Sequence, residues 1–135
     1  MEGAHPLKAK IISLKKGSHH MSLSHLITDL ADSVDSFHQR FEIVGSVTRA
    51  ELLTRIPIQS EEVEELNKAI LGESDAHVAQ EAVDVLYVAI GTVLRLNPVI
   101  TEAAIRQVIA KNDAKTTKTH YRNQAGKVVR QPVGN

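Results

Sequence analysis

The chain has 135 residues, of which 42% are hydrophobic and 3% aromatic, enough for one compact domain with an aliphatic core and too few for two. Its lack of cysteine excludes disulfides, thiolate catalysis and cysteine-ligated zinc sites, and we expect a cytoplasmic protein. The longest apolar stretch, residues 82–96, contains Asp84 and Arg95 and is shorter than a membrane span. We therefore predict a soluble protein with no membrane partner.

The formal net charge is zero, but the charges are unevenly distributed along the chain. Residues 42–84 are strongly acidic, whereas residues 111–135 carry several Lys and Arg against one acid, Asp113. An acidic middle followed by a basic tail suits a metal-bound polyphosphate held from both sides.

Residues 1–20 are basic, show no helical period and end in a Gly-Ser-His-His run typical of a cloning scar. We exclude them as an expression tag or disordered leader; the alternative is a short native strand over residues 10–14. Residues 21–135 are assigned to a single domain with a basic C-terminal tail.

The spacing of apolar residues predicts four helices. The first begins at Ser22 or Ser24 and runs to about Glu42, and the second begins at Thr48 and ends at Gly72. Pro57 interrupts the second, so either this helix is kinked or a short helix ends before Pro57 and another begins there.

The third helix is predicted over residues 76–96 with Asp75 as its cap, and it is apolar around nearly its whole circumference, as expected of a central helix. Thr101 caps a fourth helix that runs to about Asn112. Beyond it the helical period fails, and we predict loops, turns and a mobile end. The fold class is therefore all-α, a four-helix bundle-like protomer.

Two pairs of carboxylates lie at helical spacing. Glu62 and Glu65 are about 60° apart on the second helix, and Glu81 and Asp84 are about 60° apart on the third. Glu61 lies on the side of Glu65. Buried carboxylates need a compensating cation, and the first basic residue after Asp84 is Arg95, three turns on. The two acidic helices therefore imply a divalent metal such as Mg²⁺.

Other interpretations compete with this one. The glutamates at 61–65 are equally typical of a solvated charged face, and a structural salt-bridge network is a further possibility. A ferritin-like di-metal protein needs Glu-x-x-His, which occurs only at Glu2 and His5. A non-catalytic module whose basic tail binds nucleic acid is disfavoured because Tyr121 is the only aromatic residue of the tail.

The order Glu61-Glu62-x-x-Glu65 and then Glu81-x-x-Asp84 resembles the signature of the MazG-like all-α nucleoside triphosphate pyrophosphohydrolases. Relatives of that family include dUTPases, dCTPases and phosphoribosyl-ATP pyrophosphohydrolases. Phe37-His38-x-x-Phe41 and Lys111-Asn112-x-x-Lys115 also resemble family patterns, and the resemblance covers about residues 22–130.

The resemblance implies a Mg²⁺-dependent enzyme, with Mn²⁺ as a substitute, that cleaves a nucleoside triphosphate to the monophosphate and pyrophosphate in the house-cleaning of nucleotide pools. It implies a homodimer or a dimer-of-dimers tetramer. The implied metal ligands are Glu62, Glu65, Glu81 and Asp84, with Glu61 as the general base.

The resemblance further implies that Lys111, Asn112 and Lys115 bind phosphate, whereas Lys118 and Lys127 fit a solvated terminus better. Phe37, His38 and Phe41 are candidates for the base pocket. Periodicity alone favours a different arrangement, in which both Phe side chains lie in the core and His38 is exposed. We assign no role to His77 or His120, because neither has carboxylate or histidine neighbours at a metal-ligand spacing.

Overall fold

A computed structural model describes residues 22–133, so the predictions for residues 1–20 lie outside the described part. Within residues 22–133 four helices precede a two-stranded antiparallel hairpin, and the predicted all-α class is confirmed. The elements are α1 (Leu23–Arg40), α2 (Arg49–Gly72), α3 (Asp75–Arg95), α4 (Pro98–Asp113), β1 (His120–Arg122) and β2 (Val128–Arg130).

Polar side chains cap the beginnings of the helices. Ser22 accepts from the backbone N–H of His25 before α1, and Thr48 accepts from the N–H of Glu51 before α2. Ser74 caps α3 in the same way, so the prediction of Asp75 as the cap was wrong by one residue.

Asn97 caps α4 and Pro98 is its first residue, so the prediction of Thr101 as the cap was wrong. Asn97 Oδ1 accepts from two backbone N–H groups, those of Val99 and Ile100, and proline lacks the N–H that would need a partner at the first helical position.

Pro57 lies inside one continuous helix, so the alternative in which a helix ends before it was wrong. Proline removes one backbone donor and normally disfavours a helix interior. Here α2 is attached to α3 on both sides of Pro57. Arg55 donates to the carbonyl of Val88, and Gln59 donates to that of Val85. These contacts stabilise the helix through the proline.

The helices α1, α2 and α3 form one compact unit, which ends at Leu96, and α4 with the hairpin forms a second, which begins at Asn97. In the first unit α3 contacts both α1 and α2, which confirms its central position. Val34 and Ala69 are the buried apolar residues in the described part of the chain, and His38 and Arg95 are its buried polar or charged residues. The core of this unit is therefore small and partly polar.

The helix α3 has 21 residues, and an 18-residue window within it has a mean hydropathy of 1.2, so by length and composition alone it could cross a membrane. The apolar stretch at residues 82–96 is shorter than a membrane span, as predicted, but the helix that contains it begins at Asp75 and reaches that length. It contributes two carboxylates, Glu81 and Asp84, and packs against two helices, so its composition also fits its central position in the first unit.

The basic tail is more regular than predicted. His120 pairs with Arg130, Tyr121 with Val129 and Arg122 with Val128. The turn between the strands contains Gly126 at φ 86°, a conformation that glycine adopts without strain. The predicted turn at residues 124–127 is confirmed, but the loop predicted around it is a hairpin, because each strand has only three residues and leaves little periodic signal.

Candidate metal centre

The α2–α3 interface is polar along its length. At one end Arg95 makes two hydrogen bonds with the carboxylate of Glu51, with N···O distances of 2.5 and 2.8 Å. Arg95 also donates to the carbonyl of Gly45. This buried guanidinium is thus neutralised by a paired acid.

In the middle of the interface Arg55 donates to Thr92 Oγ1 at 2.7 Å and to the carbonyl of Val88 at 3.1 Å. Gln59 follows, with its amide on the carbonyl of Val85 at 3.0 Å. Each of these polar groups of α2 has a partner on α3, so this part of the interface is satisfied.

At the other end three carboxylates meet. Glu62 of α2 and Glu81 and Asp84 of α3 each place an oxygen within 4.8 Å of the other two. Glu62 and Glu81 are half-buried and Asp84 is exposed. These three residues form what we call the acidic cluster, and it brings together three of the four predicted metal ligands.

The repulsion between the carboxylates of the acidic cluster affects the pKa of Glu62. Its pKa is raised from the usual value, first by burial and then by the negative charges of Asp84, Glu81, Glu61 and Glu65. A carboxylate that is difficult to ionise in this position gains most from a bound cation.

Glu61 and Glu65 lie near the cluster without joining it. Both contribute to the raised pKa of Glu62, and both are exposed. The Glu65 carboxylate lies 3.8 Å from Lys68 Nζ one turn along α2. Because an exposed pair of this kind contributes little free energy, it does not fix Glu65 in place. The roles of these two residues stay predictions.

The chemistry of the cluster fits a divalent cation. Its donors are all carboxylate oxygens, which hard cations such as Mg²⁺ and Mn²⁺ prefer. Octahedral coordination at about 2.1 Å separates neighbouring oxygens by about 3 Å and opposite oxygens by about 4.2 Å. The three carboxylate oxygens lie within 4.8 Å of one another, which is compatible with their sharing one cation.

A cavity borders the cluster. It has a volume of about 620 Å³ and is lined by Ala76, Ala79, Gln80, Val83 and Asp84 of α3. Asp84 belongs to both the cavity and the cluster, so a molecule in this cavity would lie beside the carboxylates. A volume of this size is within the range of small-molecule sites.

From the sequence we assigned no role to His77, because it had no carboxylate neighbours at a metal-ligand spacing. In the structure it contacts two carboxylates. Its Nε2 lies 2.9 Å from Glu81 Oε2 and 3.1 Å from Glu73 Oε1. Both glutamates are four residues away along the chain: Glu81 lies on the same side of α3, and Glu73 caps the end of α2. The i±4 rule could have found the contact with Glu81.

The predicted base-pocket residues divide into two groups. The rings of Phe37 and Phe41 are 4.7 Å apart, and the ring of Tyr87 meets Phe37 edge-on at 6.1 Å. These three aromatic side chains form a cluster on α1 and α3 that remains partly accessible.

His38 instead lies where the three helices of the first unit meet. It is buried, and burial followed by the charges of Arg55 and Arg95 lowers its pKa. A Cβ atom on Gly91 would lie 2.6 Å from Arg55 Nη2 and 3.0 Å from His38 Nε2. Glycine at position 91 therefore makes room for both side chains. The expectation from periodicity, with His38 exposed, was wrong.

The second unit holds the predicted phosphate-binding residues. Lys115 Nζ donates to Asn112 Oδ1 at 3.0 Å. A cavity of about 310 Å³ is lined by Lys111, Ala114, Lys115, Thr119, His120 and Arg130. Burial, Arg130 and Lys115 lower the pKa of His120, in that order. No acidic side chain lines this cavity among the described residues, so its chemistry favours an anion.

Comparison with known proteins gives one family. The family model described as phosphoribosyl-ATP pyrophosphohydrolase matches residues 45–122, more than half of the chain. The matched segment contains all of α2, α3 and α4 and the strand β1, and so includes the whole acidic cluster. No curated protein and no solved structure matches the chain.

Proposed function

Because the chain belongs to the phosphoribosyl-ATP pyrophosphohydrolase family, within the MazG-like all-α pyrophosphohydrolases, we propose that it hydrolyses a nucleoside triphosphate to the monophosphate and pyrophosphate with Mg²⁺. The observation that carries the proposal is the acidic cluster, in which Glu62, Glu81 and Asp84 meet between two helices of the matched segment. Mn²⁺ would substitute for Mg²⁺, since both prefer oxygen ligands.

In this proposal Glu62, Glu81 and Asp84 hold the metal, and Glu65 joins them by leaving its exposed partner Lys68. A bound divalent ion would neutralise phosphate charge and increase the acidity of water. Because the three carboxylates lie on two helices that are tied together by hydrogen bonds, their arrangement is largely fixed before substrate binds.

Glu61 is the proposed general base. Its exposed carboxylate accepts a proton from water, the water oxygen bonds to the α-phosphorus, and the bond from that phosphorus to the bridging oxygen breaks to release pyrophosphate. Lys111, Asn112 and Lys115 are proposed to bind phosphate oxygens, a role for which the anion-favouring cavity of the second unit provides support.

The cluster of Phe37, Phe41 and Tyr87 is proposed to contact the base, since accessible aromatic rings stack on nucleobases. His38 would act on this pocket only through its packing against α3, since it is buried beside Gly91. The identity of the base depends on the shape of this pocket.

We also propose that a second copy of the chain covers the outer face of α2. Leu53, Ile56 and Ile70 are 70%, 62% and 62% exposed, and with Val63 they recur at spacings of three and seven residues. A homodimer, or a tetramer of two dimers, would bury this stripe. Sedimentation that finds only monomers at micromolar concentration would overturn this part of the proposal.

The test of the activity is pyrophosphate release from a panel of canonical and modified nucleoside triphosphates in the presence of Mg²⁺. We expect activity in the wild type and background rates in Glu62→Gln and Asp84→Asn, while Glu61→Gln falls by about 10²–10⁴-fold. Glu64→Gln is the matched control, because Glu64 is an exposed residue of the same helix and is not a member of the cluster.

The panel includes phosphoribosyl-ATP, because the matching family model is named for that substrate. If the enzyme prefers phosphoribosyl-ATP, the proposed house-cleaning role in the cytoplasm would be replaced by a role in a dedicated metabolic pathway. Wild-type inactivity on every member, with Mg²⁺ and with Mn²⁺, would overturn the proposal. A salt-sensitive shift of DNA mobility in the same preparation would then favour the nucleic-acid-binding module.

A further inference from the structure

The imidazole of His77 contacts two carboxylates, one in the turn after α2 and one in α3. Its Nε2 is 3.1 Å from Oε1 of Glu73, the residue that caps the end of α2, and 2.9 Å from Oε2 of Glu81 in α3. A nitrogen facing two carboxylate oxygens at these distances must carry a proton, because a lone pair there would be repelled by both. Nε2–H therefore donates to Glu81, and the carboxylate of Glu73 lies within ion-pair distance of the same nitrogen.

This contact restricts the orientation of the Glu81 side chain. The side chain of Glu81 is 15% exposed and that of His77 is 46% exposed, so the hydrogen bond joins a largely covered carboxylate to a more accessible imidazole. A carboxylate oxygen has two acceptor sites, so a donated hydrogen bond leaves Glu81 free to bind a cation with its remaining lone pairs. Its rotamer is meanwhile restricted, which reduces the entropy lost on metal binding.

We propose that His77 is a positioning residue, which holds the Glu81 carboxylate in the orientation that the divalent cation of the acidic cluster requires. This inference rests on the proposed metal site. Hydrogen-bonded partners of metal ligands typically contribute 10- to 100-fold in metal affinity, and neither the resemblance nor the family match assigns such a partner here.

Glu73 has a separate part in this arrangement. Its carboxylate attracts the same Nε2–H group at 3.1 Å, and so favours the imidazole position beside Glu81 from the turn between α2 and α3. The positioning of Glu81 thus depends on the turn as well as on the helix.

The experiment is a calorimetric titration of the metal-free full chain with Mn²⁺ at constant pH, without substrate. We expect His77→Ala to weaken Mn²⁺ binding by about 10-fold or more. Gln carries an amide nitrogen near the position of Nε2 and should restore most of the affinity, whereas Asn is too short and should behave like Ala. Circular dichroism and the unfolding midpoint establish that each variant is folded.

The matched control is His25→Ala. His25 occupies the same position in α1 that His77 occupies in α3, because in both helices the backbone N–H of the histidine donates to the N-cap serine. His25 contacts Ser22 and no carboxylate in the described structure, so its removal should leave Mn²⁺ affinity unchanged.

Three results would overturn the inference, and they are distinguishable. If the wild type binds Mn²⁺ and His77→Ala binds equally well or more tightly, His77 does not position Glu81 and the proposed activity is unaffected. If the folded wild type does not bind Mn²⁺, the metal site itself is wrong, and the inference fails with it. A loss in His77→Ala that Gln does not restore would also contradict positioning by a donor at Nε2.

Discussion

The two ends of the α2–α3 interface differ in how their carboxylates are compensated by positive charge. At one end the acid Glu51 faces the cation Arg95, and that hydrogen bond lowers the pKa of Glu51. At the other end Glu62 faces only acids among its described neighbours, and its pKa is raised by burial and by those charges. One end stabilises the helix pair, and the other destabilises it unless a cation binds.

This difference separates stability from function within a single pair of helices. A protein selected only for stability would place a cation opposite Glu62, as it does opposite Glu51. An uncompensated cluster is instead what a site for a positive ligand needs. Changes at the two ends should therefore affect different measurements.

The largest expected effect on stability is at the end of the interface where Arg95 pairs with Glu51. Arg95→Met keeps the apolar stem but leaves Glu51 and the Gly45 carbonyl without their donor, and we expect a loss of about 2 kcal/mol in the free energy of unfolding. The control is Arg106→Met, which breaks an exposed pair with Glu102 in α4 and should cost less than about 0.5 kcal/mol.

Urea unfolding at fixed protein concentration measures both values. Equal losses in the two variants would show that the Arg95 pair contributes no more than a surface pair. The conclusion that this end stabilises the helix pair would then be wrong.

A smaller loss is expected in the middle of the interface. Gly91→Ala gains about 1 kcal/mol of helix propensity, but its Cβ would displace Arg55 from Thr92 and Val88, and overpacking costs about 1–3 kcal/mol. We expect a net loss of about 1 kcal/mol by urea unfolding. Gly72→Ala, where nothing lies within 4 Å of the added atom, should lose nothing. A gain in Gly91→Ala would show that Arg55 moves aside freely.

The smallest effect is on the pH dependence at the acidic end. Because the folded-state pKa of Glu62 lies above its usual 4.5, the native state retains this proton longer than the unfolded state. Without divalent ions, the contribution of Glu62 to stability should therefore fall as pH rises from below 4.5 through the folded-state pKa. Glu62→Gln should remove that fall and raise the unfolding midpoint at pH 7.

Thermal unfolding in EDTA across this pH range is the measurement, with Glu64→Gln as the control on the same helix. If the two variants show the same pH dependence, the carboxylates of the cluster do not interact strongly. Adding Mg²⁺ should raise the midpoint of the wild type and leave that of Glu62→Gln nearly unchanged.

The positions of the helices and the three central carboxylates could be predicted from the sequence because both depend on local spacing. Apolar periodicity located α1 to α4, and the spacing from Glu81 to Asp84 placed two acids on one side of α3. Helix ends were less predictable, since Asn97 and Ser74 compete with neighbouring polar residues for the cap.

The contacts between distant segments could not be predicted from spacing. In α1 the buried residues are Val34 and His38, an i, i+4 pair, while the larger Phe37 and Phe41 lie at the edge of that stripe. Histidine is buried there because Gly91 leaves space for it, and that space depends on how α1 and α3 pack. Arg95 is likewise buried by an acid 44 residues away in the chain.

The end of the family match and the end of the hydrogen-bonded hairpin fall at different residues. The family match ends at residue 122, the last residue of β1, but β1 pairs with β2 at residues 128–130. The backbone N–H of Gln131 then donates to the carbonyl of Thr119 at 2.8 Å. A fragment cut at the family boundary would carry a strand edge with no neighbour, a template for aggregation. The shortest fragment that keeps this unit closed extends to Gln131.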